Sequence, residues 1–111
     1  MKYFFSVFVA LLFNGCGNNS LLSGKTLYFN SKDDTVTLDS SGSYIETNPV
    51  CNDSGTWKDL NSGNTSGTVC FEVSTSNCVP NYQGDTISYS YVIAGNLVDV
   101  SNPQLNPSDC N

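Results

Sequence analysis

Between residues 25 and 101, short runs of alternating apolar and polar residues are separated by clusters of Gly, Ser, Asn and Asp. That rhythm predicts a succession of β-strands joined by turns. The clearest unit is a hairpin. Residues 35–39 alternate polar and apolar, Ser40-Ser41-Gly42 offers a loop glycine able to take positive φ, and residues 43–47 return. Residues 25–29 form the strand before it, across the charged turn Lys32-Asp33-Asp34. After Asn48-Pro49 the candidates are 55–60, centred on Trp57, then 68–73, 86–93 and 97–101. In 68–73, Val69, Phe71 and Val73 share one face, with Cys70 and Glu72 on the other. In 86–93 the shared face is Ile87, Tyr89, Tyr91 and Ile93. Residues 74–85 read as the longest irregular stretch, and the proline-containing tail from 102 to 111 reads as irregular too. Six or seven short strands with tight turns give an all-β fold, a small antiparallel meander closed as a barrel or folded as a sandwich.

The N-terminus breaks this rhythm. Lys2 is followed by a nearly unbroken apolar run over residues 3–13, then Asn14-Gly15-Cys16. The run is too short for a membrane-spanning helix, which needs about 20 apolar residues. A charged start, about 7–15 apolar residues and a small residue before a cut form the secretory pattern. Leu12-Phe13-Asn14-Gly15-Cys16 resembles the lipobox of bacterial lipoprotein signal peptides, with Gly15 and Cys16 in place and Phe13 and Asn14 departing from it. The resemblance implies a signal peptide over 1–15 and a diacylglyceryl group on Cys16; residues 16–24, mostly small and polar, read as a tether, and the alternating runs place a β-domain over 25–111. Because Gly17 rather than aspartate follows the cysteine, the resemblance also implies the outer membrane of the bacterial envelope. The alternative is a plain secretory cut after Gly17, where Gly15 and Gly17 supply the small residues, releasing a chain that starts at Asn18.

Cysteine number fits export. Five cysteines are an odd number for an exported protein, and setting Cys16 aside leaves Cys51, Cys70, Cys78 and Cys110. Their wide spacings and the absence of histidine argue against a zinc site, so two disulfides are expected. Four cysteines allow three pairings. The expected one joins Cys70 to Cys78, which follows the same strand, and Cys51 to Cys110, tying down the tail.

Composition supports β-structure and narrows the partners. The chain is rich in Ser, Thr, Asn and Gly and poor in strong helix formers. Its net charge is −6. Nucleic-acid binding, which needs a basic footprint, is excluded on that ground. Electrostatic attachment to anionic lipid is equally disfavoured, leaving acyl chains on Cys16 as the route to the membrane.

Without histidine or arginine there is no histidine-based triad, histidine metal site or arginine clamp. Disulfide-bonded cysteines are not nucleophiles. Asp33, Asp34, Asp53, Asp59, Asp85 and Asp109 all fall in predicted turns or loops, where aspartate bonds its own backbone. As a twelve-position calcium loop starting at Asp59, the chain offers Asp59 and Asn61 at positions 1 and 3 but fails at Gly63, Asn64 and Cys70. The expectation is therefore a non-enzymatic domain with no cofactor and no metal, serving structure or contact with an envelope protein. Trp57, Tyr89 and Tyr91 read as core. The order of pieces also resembles small lipocalin-like domains of bacterial lipoproteins: Leu22-Ser23-Gly24 at the start, a strand, glycine turn and aromatic strand over 36–44, then Gly55-Thr56-Trp57. That resemblance implies a barrel and, as the alternative function, a carrier of a lipid or aromatic ligand lined by Trp57, Tyr89 and Tyr91.

Overall fold

The computed structural model describes residues 20–29 and 34–110, so Cys16 and the expected signal peptide lie outside the described residues. Seven strands follow one another: β1 (Thr26–Phe29), β2 (Asp34–Leu38), β3 (Ser43–Thr47), β4 (Asn52–Asp59), β5 (Ser66–Ser76), β6 (Thr86–Ala94) and β7 (Leu97–Leu105). Each pairs antiparallel with the next, in the order β1-β2-β3-β4-β5-β6-β7. The fold is all-β, and the sheet curls into a nearly closed barrel in which β1 packs beside β7 without a ladder between them.

The alternating pattern decides which side chains fill the interior. Leu27, Val36, Leu38, Tyr44, Trp57, Val69, Phe71, Tyr91 and Val98 are buried together, with Tyr89, Ile93 and Val100 packed against them. Trp57 is 4% exposed, and its ring nitrogen donates to the Asp39 carbonyl at 2.9 Å. Phe29, Phe71, Tyr44 and Tyr89 form an edge-to-face aromatic series towards one end, with ring centroids 4.8 Å apart for Phe29–Tyr89 and 5.0 Å for Tyr44–Phe71. Such pairs add about 0.5–1.5 kcal/mol beyond the area they bury.

Curvature needs β-bulges, and the sheet has two irregular registers. The first lies at Ser54/Gly55, opposite residues 73–75 of β5. A side chain at Gly55 would run into the Glu72 carbonyl of β5, so only glycine allows the strands to come this close. The second lies opposite Ser88–Ser90, where β7 carries Asn102 at φ 55 before Pro103. Pro103 is tolerated because β7 is an edge of the hydrogen-bonded order.

Three expectations need correction. The tail was read as irregular from residue 102, yet β7 continues to Leu105 before a short 3-10 turn at Ser108–Cys110. Residues 20–24 were read as tether, yet Leu22 is fully buried in the core and Ser20 is buried beside it. The disulfides pair Cys51 with Cys78 and Cys70 with Cys110, not Cys70 with Cys78 and Cys51 with Cys110. The register explains both bridges. Asp53 lies opposite Ser76 across β4 and β5, so Cys51 and Cys78, each two residues further out, meet where the strands end. Cys70 points outward from β5 beside Ser88, and the tail crosses that outer face, bringing Cys110 onto it.

Candidate functional site at the acidic end of the barrel

The same alternation that places Val36 and Leu38 inside also turns Asp34 inward from the start of β2. On β3 the inward residue after Tyr44 is Glu46, and on β4 the inward residues are Asp53, Gly55, Trp57 and Asp59. Glu46 and Asp53 stand directly opposite each other across β3 and β4. Three carboxyls from three consecutive strands therefore meet at one end of the barrel, which we call the mouth. Like charges directly opposite in a sheet are destabilising, so this is an unusual place to put them.

Protonation resolves the conflict. Burial, then hydrogen bonding with Asp34 and the charge of Asp53, push the Glu46 carboxyl up from 4.5 to about 9. Burial raises Asp53 as well. The Oδ1 atoms of Asp34 and Asp53 are buried and receive no hydrogen bond from an amide or hydroxyl. A protonated Glu46 has a single O–H to share between Asp34 and Asp53. Tyr89, half-buried on β6, is pushed up to about 12 by burial and by the Glu46 charge, and Tyr44 is raised by burial and by Asp53. Lys25 and Lys58, the two cations among the described residues, belong to the other end of their strands.

Around the mouth, Phe29, Glu46, Asp53, Phe71, Ile87 and Tyr89 enclose a space of about 20 Å³. That is close to the room one water needs. A larger groove, about 480 Å³, lies outside the barrel where Thr68, Ser88 and Ser90 meet Gln104 and Pro107.

The rim is rigid on one side. Asn48 Oδ1 accepts from the amides of Val50 and Cys51, each at 2.9 Å. Asn77 Oδ1 accepts from Asn52 N at 2.7 Å, and the Cys51–Cys78 bridge joins the two loops. These loops hold Val50 at 91% and Val79 at 97% exposure, each beside an exposed proline, Pro49 and Pro80.

The sequence-predicted ligand residues are split between interior and mouth. Trp57 and Tyr91 are buried, and Tyr89 reaches the mouth space. The Tyr91 hydroxyl donates to Asp59 Oδ1 at 2.7 Å, and burial raises its pKa. At the 59–64 turn, Asp59 is occupied by Ser20, Tyr91 and the Asn61 amide, and Asn61 Oδ1 accepts from Thr68 N. Asp34, Asp53 and Asp59 were expected in turns or loops; all three are strand residues facing inward. Glu46 was not singled out. Extending the parity of Val36, Tyr44 and Trp57 by one more pair of residues finds Asp34, Glu46 and Asp53. No protein-family model, no curated protein and no solved structure matches this chain.

Proposed function

We propose that this chain is an exported envelope protein, anchored through acyl chains on Cys16, whose barrel is a filled scaffold that works through its rim in contact with a protein partner. The observation that carries this reading is the packing. The interior leaves about 20 Å³ at the mouth, whereas ligand pockets take roughly 300–1,000 Å³. Meanwhile two valines, stripped of any role in the core, are held in water on loops stapled together. A pre-organised apolar tip loses little entropy on binding. The acidic mouth beside it favours a partner whose apolar socket is edged by lysine or arginine. Two disulfides support an oxidising, exported setting.

Expression of the full gene with labelled fatty acid tests the anchor. Label should appear on the protein and vanish in Cys16→Ala; unchanged incorporation refutes it. Titration of the protein with a lipid extract tests the filled scaffold. Trp57 fluorescence should stay constant, and a saturable change would favour the lipid or aromatic carrier instead.

A further inference from the structure

The outer face of the barrel carries polar groups that the fold itself leaves unused. Across β5, β6 and β7, Thr68, Ser90 and Ser101 stand in one cross-strand row, and Cys70, Ser88 and Gln104 stand in the next. The irregular register at Ser88/Ser90 leaves Asn102 and Pro103 between those rows on β7, and Asn102, at φ 55, lines the outer groove. Ser88 is the informative residue. It is 4% exposed although it lies on the outside of the barrel, because the tail crosses above it. Ser88 lines the groove, and its hydroxyl makes no hydrogen bond among the described residues. The side chains of Thr68, Ser90, Asn102 and Gln104, which line the same groove, make none either. Buried polar groups are almost always paired, and an unpaired one costs stability.

The tail supplies the facing wall and is held at both ends. Asn106 accepts from the Thr86 amide at 2.8 Å and donates to Asp85 at 3.1 Å. Four residues later, Cys110 is bonded to Cys70. Pro107, Ser108 and Asp109 are therefore suspended over the sheet between two fixed points. A wall built in advance loses little entropy when a ligand enters.

We propose that this outer groove binds a neutral oligosaccharide. At about 480 Å³ it falls within the range of ligand pockets, roughly 300–1,000 Å³, which the interior does not reach. Hydroxyls and primary amides can each donate and accept, and a row of sugar hydroxyls does the same. Pro107 adds apolar surface against which the C–H face of a sugar ring can lie. An acidic sugar is disfavoured, because Asp109 is the charged residue lining the groove. Lys58 stands beyond the Cys70–Cys110 bridge, in a separate cleft with Thr56 and Glu72. A peptide would bring apolar side chains between its donors and acceptors, whereas the sheet side of the groove offers them mainly polar groups.

An array of neutral and acidic oligosaccharides, with a peptide array in parallel, tests this on the protein with both disulfides formed. At least one neutral oligosaccharide should be retained. Retention of none, of acidic sugars alone, or of peptides in place of sugars overturns the proposal. Amide chemical shifts followed with the retained sugar should move at Ser88, Ser90, Gln104 and Ser108 and stay fixed at Glu46 and Asp53. Shifts confined to the mouth or rim overturn the site. Ser88→Ala removes the unpaired hydroxyl and should weaken binding roughly three- to tenfold, while the melting midpoint holds or rises. Unchanged affinity refutes the assignment, and a variant that fails to fold refutes it too, by showing the hydroxyl to be structural. Gln104→Ala, on the exposed edge strand, should weaken binding in the same way, and an unchanged affinity there also counts against the site.

Discussion

Asp53 and Asp59 sit near opposite ends of one strand and both point into the barrel, yet their surroundings are opposite. Asp59 accepts from Ser20 Oγ at 2.7 Å, Tyr91 OH at 2.7 Å and the Asn61 amide at 2.8 Å. Leu22 is packed into the core beside that network, and Trp57 leans towards that end to reach Asp39. Asp53 meets Glu46 and Asp34 instead, and one of its oxygens is buried without a donor. The difference shows that an inward carboxylate is not costly in itself. Hydrogen-bond donors decide whether it stabilises the fold or strains it. One end of this barrel is finished as structure, and the other is left chemically incomplete.

The largest test removes the ring that ties the closed end to the core. Trp57→Ala, a buried large-to-small change, should cost about 3–5 kcal/mol in denaturant melts. A near-native melt would break the comparison by showing that the closed end does not depend on packing. The staple at the mouth comes next. In the chain-entropy model, closing the 27-residue separation of Cys51–Cys78 is worth roughly 3.5 kcal/mol. The double change to serine should therefore destabilise by a similar amount and loosen exchange at the mouth before it does so at Leu38 or Trp57.

The two aspartates themselves give the sharpest contrast. Asp59→Ala leaves Tyr91 and Ser20 without their acceptor and should destabilise by about 1–3 kcal/mol. Asp53→Asn removes a charge facing two other carboxyls, so at pH 8 it should stabilise, read as an upward shift of the melting midpoint. Equal loss from both substitutions would dissolve the distinction between the ends. The smallest effect is expected at the rim: Val50→Ser and Val79→Ser should each stay within about 0.5 kcal/mol of wild type, because neither side chain contributes to the core.

Much of the fold was legible because alternation is a local signal. The hairpin from Val36 to Glu46 and the face Ile87, Tyr89, Tyr91 and Ile93 could be read directly, and β3 lies where it was expected. The site was not read, for two physical reasons. Aspartate's affinity for turns outweighed the pattern at Asp34 and Asp53, although Val36 and Trp57 already fixed the inward parity of their strands. The meeting of Glu46 with Asp53 is a cross-strand event, set by register rather than by neighbours in sequence. The disulfides failed for the same reason. Cys70 and Cys78 are close in sequence, but β5 runs on to Ser76 and carries Cys78 to the mouth, far along the strand from Cys70.

The neighbour-by-neighbour order of the strands also has a consequence in time. Every ladder joins a strand to the one just before it, so nothing in the sheet must wait for a distant segment to arrive. A chain that emerges N-terminus first from its site of synthesis can zip up as it appears, each new strand templated by the last. The Cys51–Cys78 bridge can form before β6 and β7 appear, while Cys70 must stay a thiol until Cys110 follows. Until then Cys70 is the one wrong partner open to Cys51 and Cys78, and the seam between β1 and β7 is the last joint to be made.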